Sequence, residues 1–96
     1  MRPSQALEAN RDALRTLASR HRVGNVRIFG SVLRQDDTET SDLDLLVDPT
    51  PQTTLMDIAA IQVEAEQLLG VRVDVLTAKS LPTTFREQVV REAIPV

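Results

Sequence analysis

The sequence predicts a small α/β domain with a three-stranded mixed sheet covered on one face by helices, in the order α-β-α-β-α-β-α. Short aliphatic runs typical of strands alternate along the chain with longer segments whose apolar residues recur at helical spacing. The 96 residues suit a single domain spanning 1–96, and a hydrophobic fraction of 42% allows a packed core.

Four segments are predicted to be helical. They are residues 3 to about 22, 31 to about 34, 53 or 54 to 69, and 81 to 92. Pro3 or Ser4 can begin the first helix, and Gly24 is a plausible end for it. Ser80 is expected to cap the last helix, with Pro82 tolerated in its first turn. The core stripe of the third helix is predicted to be Leu55, Ile58, Ile61, Ala65, Leu68 and Leu69.

Three strands are predicted at residues 25–29, 43–47 and 71–76, and alternation assigns their faces. The aliphatic face, which should take the helices, consists of Leu43, Leu45, Val47, Val71, Val73 and Val75. The opposite, uncovered face consists of Asp42, Asp44, Leu46, Arg72, Asp74 and Leu76. Three aspartates are therefore expected to gather on one side of the sheet.

The overall composition limits the classes of partner. A net charge of −3 argues against direct nucleic-acid binding, which needs clustered Lys and Arg. The chain has no cysteine and no apolar run long enough to span a membrane, so a cytoplasmic protein without membrane contact is expected. Phe29 and Phe85 are the only aromatic residues, and no base-reading residue is recognisable.

Two short motifs at the strand ends suggest phosphate and metal binding. Gly30 and Ser31 follow the first strand, and a helix beginning there would direct free N–H groups toward an anion. Ten residues later, Asp42 and Asp44 begin the second strand on one face. If the third strand pairs beside the second, Asp74 would lie roughly 5 Å away across the ladder.

Three carboxylates at so short a distance would repel one another, which would raise the pKa of at least one of them. Divalent cations would relieve this repulsion. Oxygen ligands suit Mg²⁺, and two such ions can stabilise the attacking and leaving oxygens of a displacement at phosphorus. Arg34 could reach the same phosphates, or it could be a surface partner of Asp36 or Asp37. Taken alone, Gly-Ser is usually a turn and Asp-x-Asp a solvated strand end. Their combination at strand ends, with a third Asp in an aliphatic strand, favours a functional site.

The Gly30-Ser31, ten-residue, Asp42-x-Asp44 arrangement resembles the G-S-x10-D-x-D signature of the nucleotidyltransferase superfamily related to DNA polymerase beta. The short length resembles the minimal nucleotidyltransferase antitoxins that are paired with HEPN-domain toxins. The resemblance implies that Gly30 and Ser31 bind nucleotide phosphates and that Asp42 and Asp44 ligate Mg²⁺. It implies that Asp74 is a third carboxylate, either a metal ligand or the base.

The resemblance further implies transfer of AMP from ATP to a tyrosine of a HEPN toxin, which silences its RNase. Because the part of the fold that would bind ATP takes up nearly the whole chain, the acceptor is expected to lie on another molecule. The alternative is a binding module that neutralises its partner by occlusion, without catalysis. Transfer to a small molecule or to RNA is a third possibility, which the acidic charge disfavours. The sequence does not decide whether the chain forms a homo-oligomer, nor whether it prefers ATP over other nucleotides.

Overall fold

The computed structural model describes all 96 residues and contains a mixed four-stranded sheet. In chain order the elements are α1 (Pro3–Ser19), β1 (Val23–Phe29), α2 (Ser31–Arg34), β2 (Leu43–Pro49), α3 (Leu55–Leu69), β3 (Val73–Leu76), a 3₁₀ turn (Ala78–Ser80), α4 (Arg86–Glu92) and β4 (Ile94–Pro95). The strand order is β3-β2-β1-β4, with β1 antiparallel to both neighbours and β2 parallel to β3. The three predicted strands and their mixed pairing are confirmed.

The fourth strand was not predicted. It has two residues, Ile94 and Pro95, which pair with Ile28 and Arg27 at the free edge of β1. A two-residue strand is too short to show alternation, and Pro is confined to edge strands because it cannot donate to the ladder. The sequence therefore carries no signal for it.

The aliphatic face of the sheet forms the core, as predicted. Leu43, Leu45 and Val47 of β2 are fully buried, and α1 and α3 pack over them side by side. The helix residues buried in this layer include Leu7, Leu14, Leu17, Ile61, Ala65 and Leu69. An aliphatic layer of this kind is stabilised by removal of apolar surface from water, at about 25 cal/mol for each Å² buried. It fixes the positions of the strand ends that carry the acidic residues.

The opposite face is less open than predicted. Leu46 was expected on an uncovered surface, but it has no exposed area. The 3₁₀ turn lies against β2, and Leu81, which follows that turn, is 3% exposed. The chain after β3 therefore crosses this face of the sheet and covers its middle, leaving the acidic end of β2 uncovered.

The predicted core stripe of α3 is wrong at two residues, which are not buried. Leu55 is 88% exposed, and Leu68 lies at the edge of the buried stripe with substantial exposure. Leu55 is the first residue of the helix and does not pack against the buried cluster. A second apolar row of α3 consists of Met56, Ala60 and Val63; Met56 and Val63 are exposed and Ala60 is partly buried, so the row is not part of the buried core.

The last helix begins later than predicted. Helix α4 starts at Arg86, and Leu81 has an extended backbone with φ −77° and ψ 142°. Extended backbone is what a following proline imposes, and Pro82 follows Leu81. Ser80 does not cap α4; its hydroxyl accepts a hydrogen bond from the Thr77 N–H at 3.0 Å and so closes the 3₁₀ turn. Helix α4 is therefore short, and the non-helical residues 81–85 join it to the 3₁₀ turn.

Helix α1 ends at Ser19, earlier than residue 22, and Gly24 lies in β1. Arg22 carries the left-handed backbone that turns the chain, with φ 62°. His21, in this turn, contacts Glu64 of α3 at 2.7 Å between Nε2 and Oε2. Its position far from the acidic strand ends supports a structural role. No helix of the chain has the length and apolarity needed to cross a bilayer.

The loop between α2 and β2 is anchored to α1 by a buried carboxylate. Asp37 is 6% exposed, and its Oδ2 accepts a hydrogen bond from the Ser4 N–H at 2.9 Å. Burial alone raises the pKa of Asp37, but hydrogen bonds from the Ser4 backbone and hydroxyl, together with the Arg2 charge, leave this pKa below its usual value. Asp37 thus caps the N-terminus of α1 and fixes the loop that joins the two predicted motifs.

Candidate active site

The pairing of β1 with β2 brings the two motifs into direct contact. Phe29, the last residue of β1, lies opposite Asp44 in the antiparallel register, and Gly30 follows Phe29. A Cβ atom on Gly30 would stand 2.3 Å from Oδ2 of Asp44, closer than any real contact. Gly30 also has φ 75°, which favours glycine. The Asp44 carboxylate therefore occupies the space that a side chain on residue 30 would fill.

The environment of Asp44 disfavours its charged form. Partial burial raises the pKa of Asp44 to about 6, with further contributions from the negative charges of Asp74 and Asp42, while Arg34 opposes the shift. The predicted carboxylate repulsion and its rise in pKa are confirmed at this residue. A carboxylate held in this way gains from any cation brought beside it.

Asp42 has an unsatisfied oxygen. Its Oδ1 is buried and makes no hydrogen bond, although Nε of Arg72 lies 3.0 Å away as an ion-pair partner. The Arg72 side chain is 77% exposed, so this pair is mostly solvated and weak. A metal ion at this oxygen would therefore take the place of the exposed Arg72 guanidinium, which can move into solvent.

Asp74 lies beside Asp44, but on the outer side of the site. The parallel register of β2 and β3 makes Asp44 and Asp74 direct partners, as predicted. Asp74 is exposed on an edge strand, and it is absent from the lining of the neighbouring cleft. The chain has no group of three His, Cys, Asp or Glu residues assembled closely enough to hold a metal ion unaided. The assignment of Asp74 as a third metal ligand therefore stays a prediction.

A cleft of about 580 Å³ opens beside Asp42 and Asp44. This volume is within the range of small-molecule and cofactor sites. One wall contains both predicted motifs, with Gly30, Ser31, Arg34, Asp42 and Asp44. The opposite wall comes from α4 and the residue before it, with Phe85, Gln88, Val89 and Glu92.

Arg34 lies both at the cleft and beside a surface carboxylate, the two environments expected for it from the sequence. It lines the cleft, and its charge acts on Asp44. Its Nε also lies 3.4 Å from Oδ2 of Asp36, with both side chains more than half exposed. An exposed pair of this kind contributes little to stability, so the guanidinium is free to turn toward an anion in the cleft.

No sequence pattern predicts the α4 wall. Phe85 and Gln88 belong to a segment far along the chain from Gly30, and nothing in their local pattern indicates a site. Only the path of the chain across the second face of the sheet brings them there. Ser41, which also lines the cleft, was missed as well, although it directly precedes Asp42.

The residues present fit Mg²⁺ when it arrives with a phosphate. Mg²⁺ is usually held by one or two carboxylates together with substrate phosphates, rather than by a cage of protein ligands. Asp42 and Asp44 supply two hard oxygen donors; that of Asp42 is paired only with the exposed Arg72, and Asp44 has a raised pKa. These two residues would hold the ion, and the cleft beside them would hold the phosphates.

Comparisons with known proteins agree with this arrangement. The sequence profile of the polymerase beta nucleotidyltransferase family matches residues 12–96. Protein adenylyltransferase MntA of Thermococcus cleftensis is 35% identical over 80 residues, which cover 83% of this chain and 81% of that protein. A provisionally named protein adenylyltransferase of Methanocaldococcus jannaschii is 38% identical over 77 residues, 80% of this chain and 83% of the relative.

Solved structures give the same family. A provisionally named minimal nucleotidyltransferase is 47% identical, with a TM-score of 0.86 and coverage of 97% of this chain and 95% of the other. A toxin–antitoxin structure with AMP-PNP has a TM-score of 0.75 over 90% of this chain and 71% of the other, and at 19% identity it supports the fold alone. The chain therefore belongs to the polymerase beta-like nucleotidyltransferase family, as a minimal member, and it is an enzyme that transfers a nucleotidyl group.

Proposed function

We propose that this enzyme transfers AMP from ATP to a hydroxyl group of a partner protein, in a Mg²⁺-dependent reaction. The partner we propose is a HEPN-domain RNase toxin, and the acceptor is a tyrosine hydroxyl. In this role the chain is an antitoxin. Similar proteins named as protein adenylyltransferases support a protein acceptor, and a toxin–antitoxin structure of the same fold, with AMP-PNP, supports the choice of ATP and of a toxin.

The observation that carries the proposal is the contact between Gly30 and the Asp44 carboxylate. It places a residue suited to close phosphate approach directly beside a half-buried acid with a raised pKa. A turn or a solvated strand end would need neither feature. Ser31 begins α2, so its hydroxyl and the free N–H groups of this first turn can donate to phosphate oxygens.

The reaction is an in-line displacement at the α-phosphorus of ATP. The acceptor hydroxyl oxygen forms a bond to this phosphorus, the bond to the oxygen that bridges to the β-phosphate breaks, and pyrophosphate leaves. The hydroxyl proton passes to a carboxylate, for which we assign Asp74. Its exposed position on the edge strand, beside Asp44 and outside the cleft, suits an acceptor that approaches from another molecule.

The chain's own residues orient the nucleotide. Gly30 and Ser31 bind the phosphates, and Arg34 neutralises part of their charge from the cleft rim. Asp42 and Asp44 would hold Mg²⁺, which supplies positive charge for the developing negative charge at phosphorus. The helical layer behind β2 keeps these carboxylates at a fixed separation, so little reorganisation is needed during the reaction.

Two observations favour a second function. Asp42 is already paired with Arg72, and no three-residue metal cluster is assembled in the chain. A module that only covers its partner would tolerate both features. In this alternative the chain neutralises the toxin by occlusion, and the acidic strand end serves no catalytic purpose.

The test incubates the chain with ATP, Mg²⁺ and the product of the neighbouring gene, which the proposal expects to be a HEPN-domain protein. Intact-mass measurement should show addition of AMP to the partner by the wild-type chain. Asp42→Asn and Asp44→Asn should lower the rate by orders of magnitude, because metal stabilisation of charge is the main catalytic effect. Binding to the partner, followed by pull-down, should persist in both variants.

Asp48→Asn is the matched control, since Asp48 lies at the far end of β2, is exposed and does not line the cleft. It should modify the partner at the wild-type rate. Equal rates for Asp44→Asn and wild type would refute catalysis at this site. If neither modifies the partner while both bind and silence it, occlusion is the correct function.

A further inference from the structure

The cleft has a second wall whose chemistry differs from that of the first. The wall formed by α4 presents the ring of Phe85, which is 43% exposed, next to Val89. Phe85 is not a member of the hydrophobic core, which is entirely aliphatic. Its ring is therefore not needed to fill the core, and its exposed part remains available to a ligand.

The distribution of aromatic residues supports a ligand contact. The chain has only two phenylalanines, and both Phe29 and Phe85 line this one cleft. Phe29 belongs to the wall with the phosphate-binding residues, whereas Phe85 places an apolar ring on the second wall, so the two walls together match the two ends of a nucleotide. An aromatic side chain stacks on any nucleobase because every base has a π-face.

Gln88 adds a polar group to the same wall. It lies three residues after Phe85, so the two side chains share one side of α4. Its Nε2 donates to Oε1 of Glu92 at 3.0 Å, which orients the amide and leaves its oxygen free to accept. A free amide oxygen complements the 6-amino group of adenine, since Gln pairs with the amino edge of that base.

We propose that the α4 wall is the nucleobase subsite of this enzyme, with Phe85 stacking on the base and Gln88 accepting from the 6-amino group of adenine. The proposal rests on the proposed function, because it assumes that the phosphates of ATP lie at Gly30 and Ser31. It supplies the base contact that the sequence did not reveal. Glu92 is a positioning residue that fixes the Gln88 amide.

The test measures affinity by calorimetry in Mg²⁺ for three ligands: a non-hydrolysable ATP analogue, the matching GTP analogue and inorganic tripolyphosphate. Phe85→Ala should lower the affinity for both nucleotide analogues by about 5- to 150-fold, which corresponds to about 1–3 kcal/mol of base stacking. Tripolyphosphate, which has no base, should bind Phe85→Ala as it binds wild type. Phe85→Tyr keeps the ring and should restore nucleotide affinity.

Val90→Ala is the matched control, because Val90 lies on the same helix, is 40% exposed and does not line this cleft. It should leave all three affinities unchanged. Gln88→Leu should reduce the preference for ATP over GTP while keeping the stacking contribution. Thermal melts of each variant should match wild type, since neither Phe85 nor Gln88 is part of the core.

The outcomes separate this inference from the proposed function. If wild type binds neither the ATP analogue nor tripolyphosphate, the proposed function itself fails. If wild type binds ATP and Phe85→Ala binds it equally well, the base subsite is refuted while the phosphate site stands. Unchanged ATP affinity with weakened binding of the partner protein would show that the exposed ring contacts the partner, which also overturns the inference.

Discussion

At the scale of single residues, the contact between Gly30 and Asp44 determines which substitutions the site tolerates. The added Cβ of Gly30→Ala would meet Oδ2 of Asp44, and the residue would keep a positive φ. We expect this variant to lose about 1–3 kcal/mol of unfolding free energy and to lose nucleotide binding. Urea denaturation and calorimetry with an ATP analogue measure the two effects.

Gly70→Ala is the control for backbone strain. Gly70 has φ 71°, close to that of Gly30, but a Cβ there would meet nothing within 4 Å. The ψ of Gly70 is 18°, in the left-handed helical region, whereas that of Gly30 is −148°, so Gly70→Ala should lose less stability from strain and should keep wild-type nucleotide affinity. If Gly30→Ala also keeps its affinity, then Gly30 has no role in phosphate binding beyond the turn.

The raised pKa of Asp44 predicts a pH dependence of stability in the metal-free protein. The folded pKa of about 6 exceeds the ordinary value of 3.8, so the folded state binds this proton more tightly than the unfolded state. The contribution of Asp44 to the free energy of unfolding is fully present below about pH 4, and it is lost as the pH rises through 6. Asp44→Asn removes that loss and should be more stable than wild type at pH 7, by about 1–3 kcal/mol.

The measurement is urea denaturation in EDTA between pH 4 and 8. The advantage of Asp44→Asn should be small at pH 4, should grow between pH 4 and 6, and should level off above pH 6. Asp12→Asn, at an exposed aspartate of α1, should differ from wild type by less than about 0.5 kcal/mol throughout. An advantage of Asp44→Asn that does not vary with pH would show that burial and the neighbouring carboxylates do not raise the pKa of Asp44 in the folded state.

The residues on the first wall of the cleft could be predicted from sequence because their contact is local. Gly30 ends one strand and Asp44 begins the next, so antiparallel pairing is enough to join them. Asp74 followed from the assumption that β3 pairs beside β2. Phe85 and Gln88 could not be predicted, since their position depends on how residues 77–85 cross the sheet, and no short-range pattern encodes that path.

At the scale of elements, the cap of α1 links a helix to the functional loop. Asp37→Ala removes the buried acceptor of the Ser4 N–H, and it should lower the unfolding free energy by about 1–2 kcal/mol at pH 7. Because the folded pKa of Asp37 lies below its usual value, this contribution is present above pH 4 and is lost as the pH falls through the folded pKa. Asp36→Ala, at the exposed neighbour, should be nearly neutral.

The two variants are compared by urea denaturation at pH 7 and at pH 3. The difference between Asp37→Ala and wild type should shrink at the lower pH. A loss of equal size at both values, or an equal loss in Asp36→Ala, would show that the carboxylate charge is not what stabilises α1.

The second apolar row of α3 gives a prediction that distinguishes core residues from surface residues. Met56 and Val63 are 77% and 52% exposed, so Met56→Glu and Val63→Glu should change stability by less than about 0.5 kcal/mol each. Ile61→Ala, on the buried side of the same helix, should cost about 2–5 kcal/mol. If the second apolar row contacts the toxin or a second copy, the Glu variants will weaken that association in a pull-down or by sedimentation.

Element boundaries were predictable where local chemistry decides them. Thr54 and Asp57 form the reciprocal cap that begins α3, and Gly70 ends it with a left-handed backbone, both readable in the sequence. The errors fall where tertiary contacts decide. Leu81 looked like the start of a helix, but it is an extended residue that fills the second face of the sheet.

At the scale of the whole molecule, the acidic strand end makes stability depend on ligands. Asp42, Asp44 and Asp74 repel one another, and bare nucleotide phosphates would add negative charge to the same place. Mg²⁺ and ATP should therefore stabilise the fold together much more than either does alone. At a hundredfold excess over the dissociation constant, bound ligand contributes about 2.7 kcal/mol, or roughly 10–20 °C in Tm for a domain of this size.

Thermal melts with EDTA, Mg²⁺, ATP plus EDTA, and ATP plus Mg²⁺ test this prediction without measuring catalysis. Wild type should show the large shift only with both ligands. The double variant Asp42→Asn with Asp44→Asn should start from a higher Tm in EDTA, because it lacks the repulsion, and it should show no combined effect. An equal shift of wild type by ATP in EDTA would contradict metal dependence. It would indicate that Arg34 and the N–H groups after Gly30 hold the phosphates without an ion.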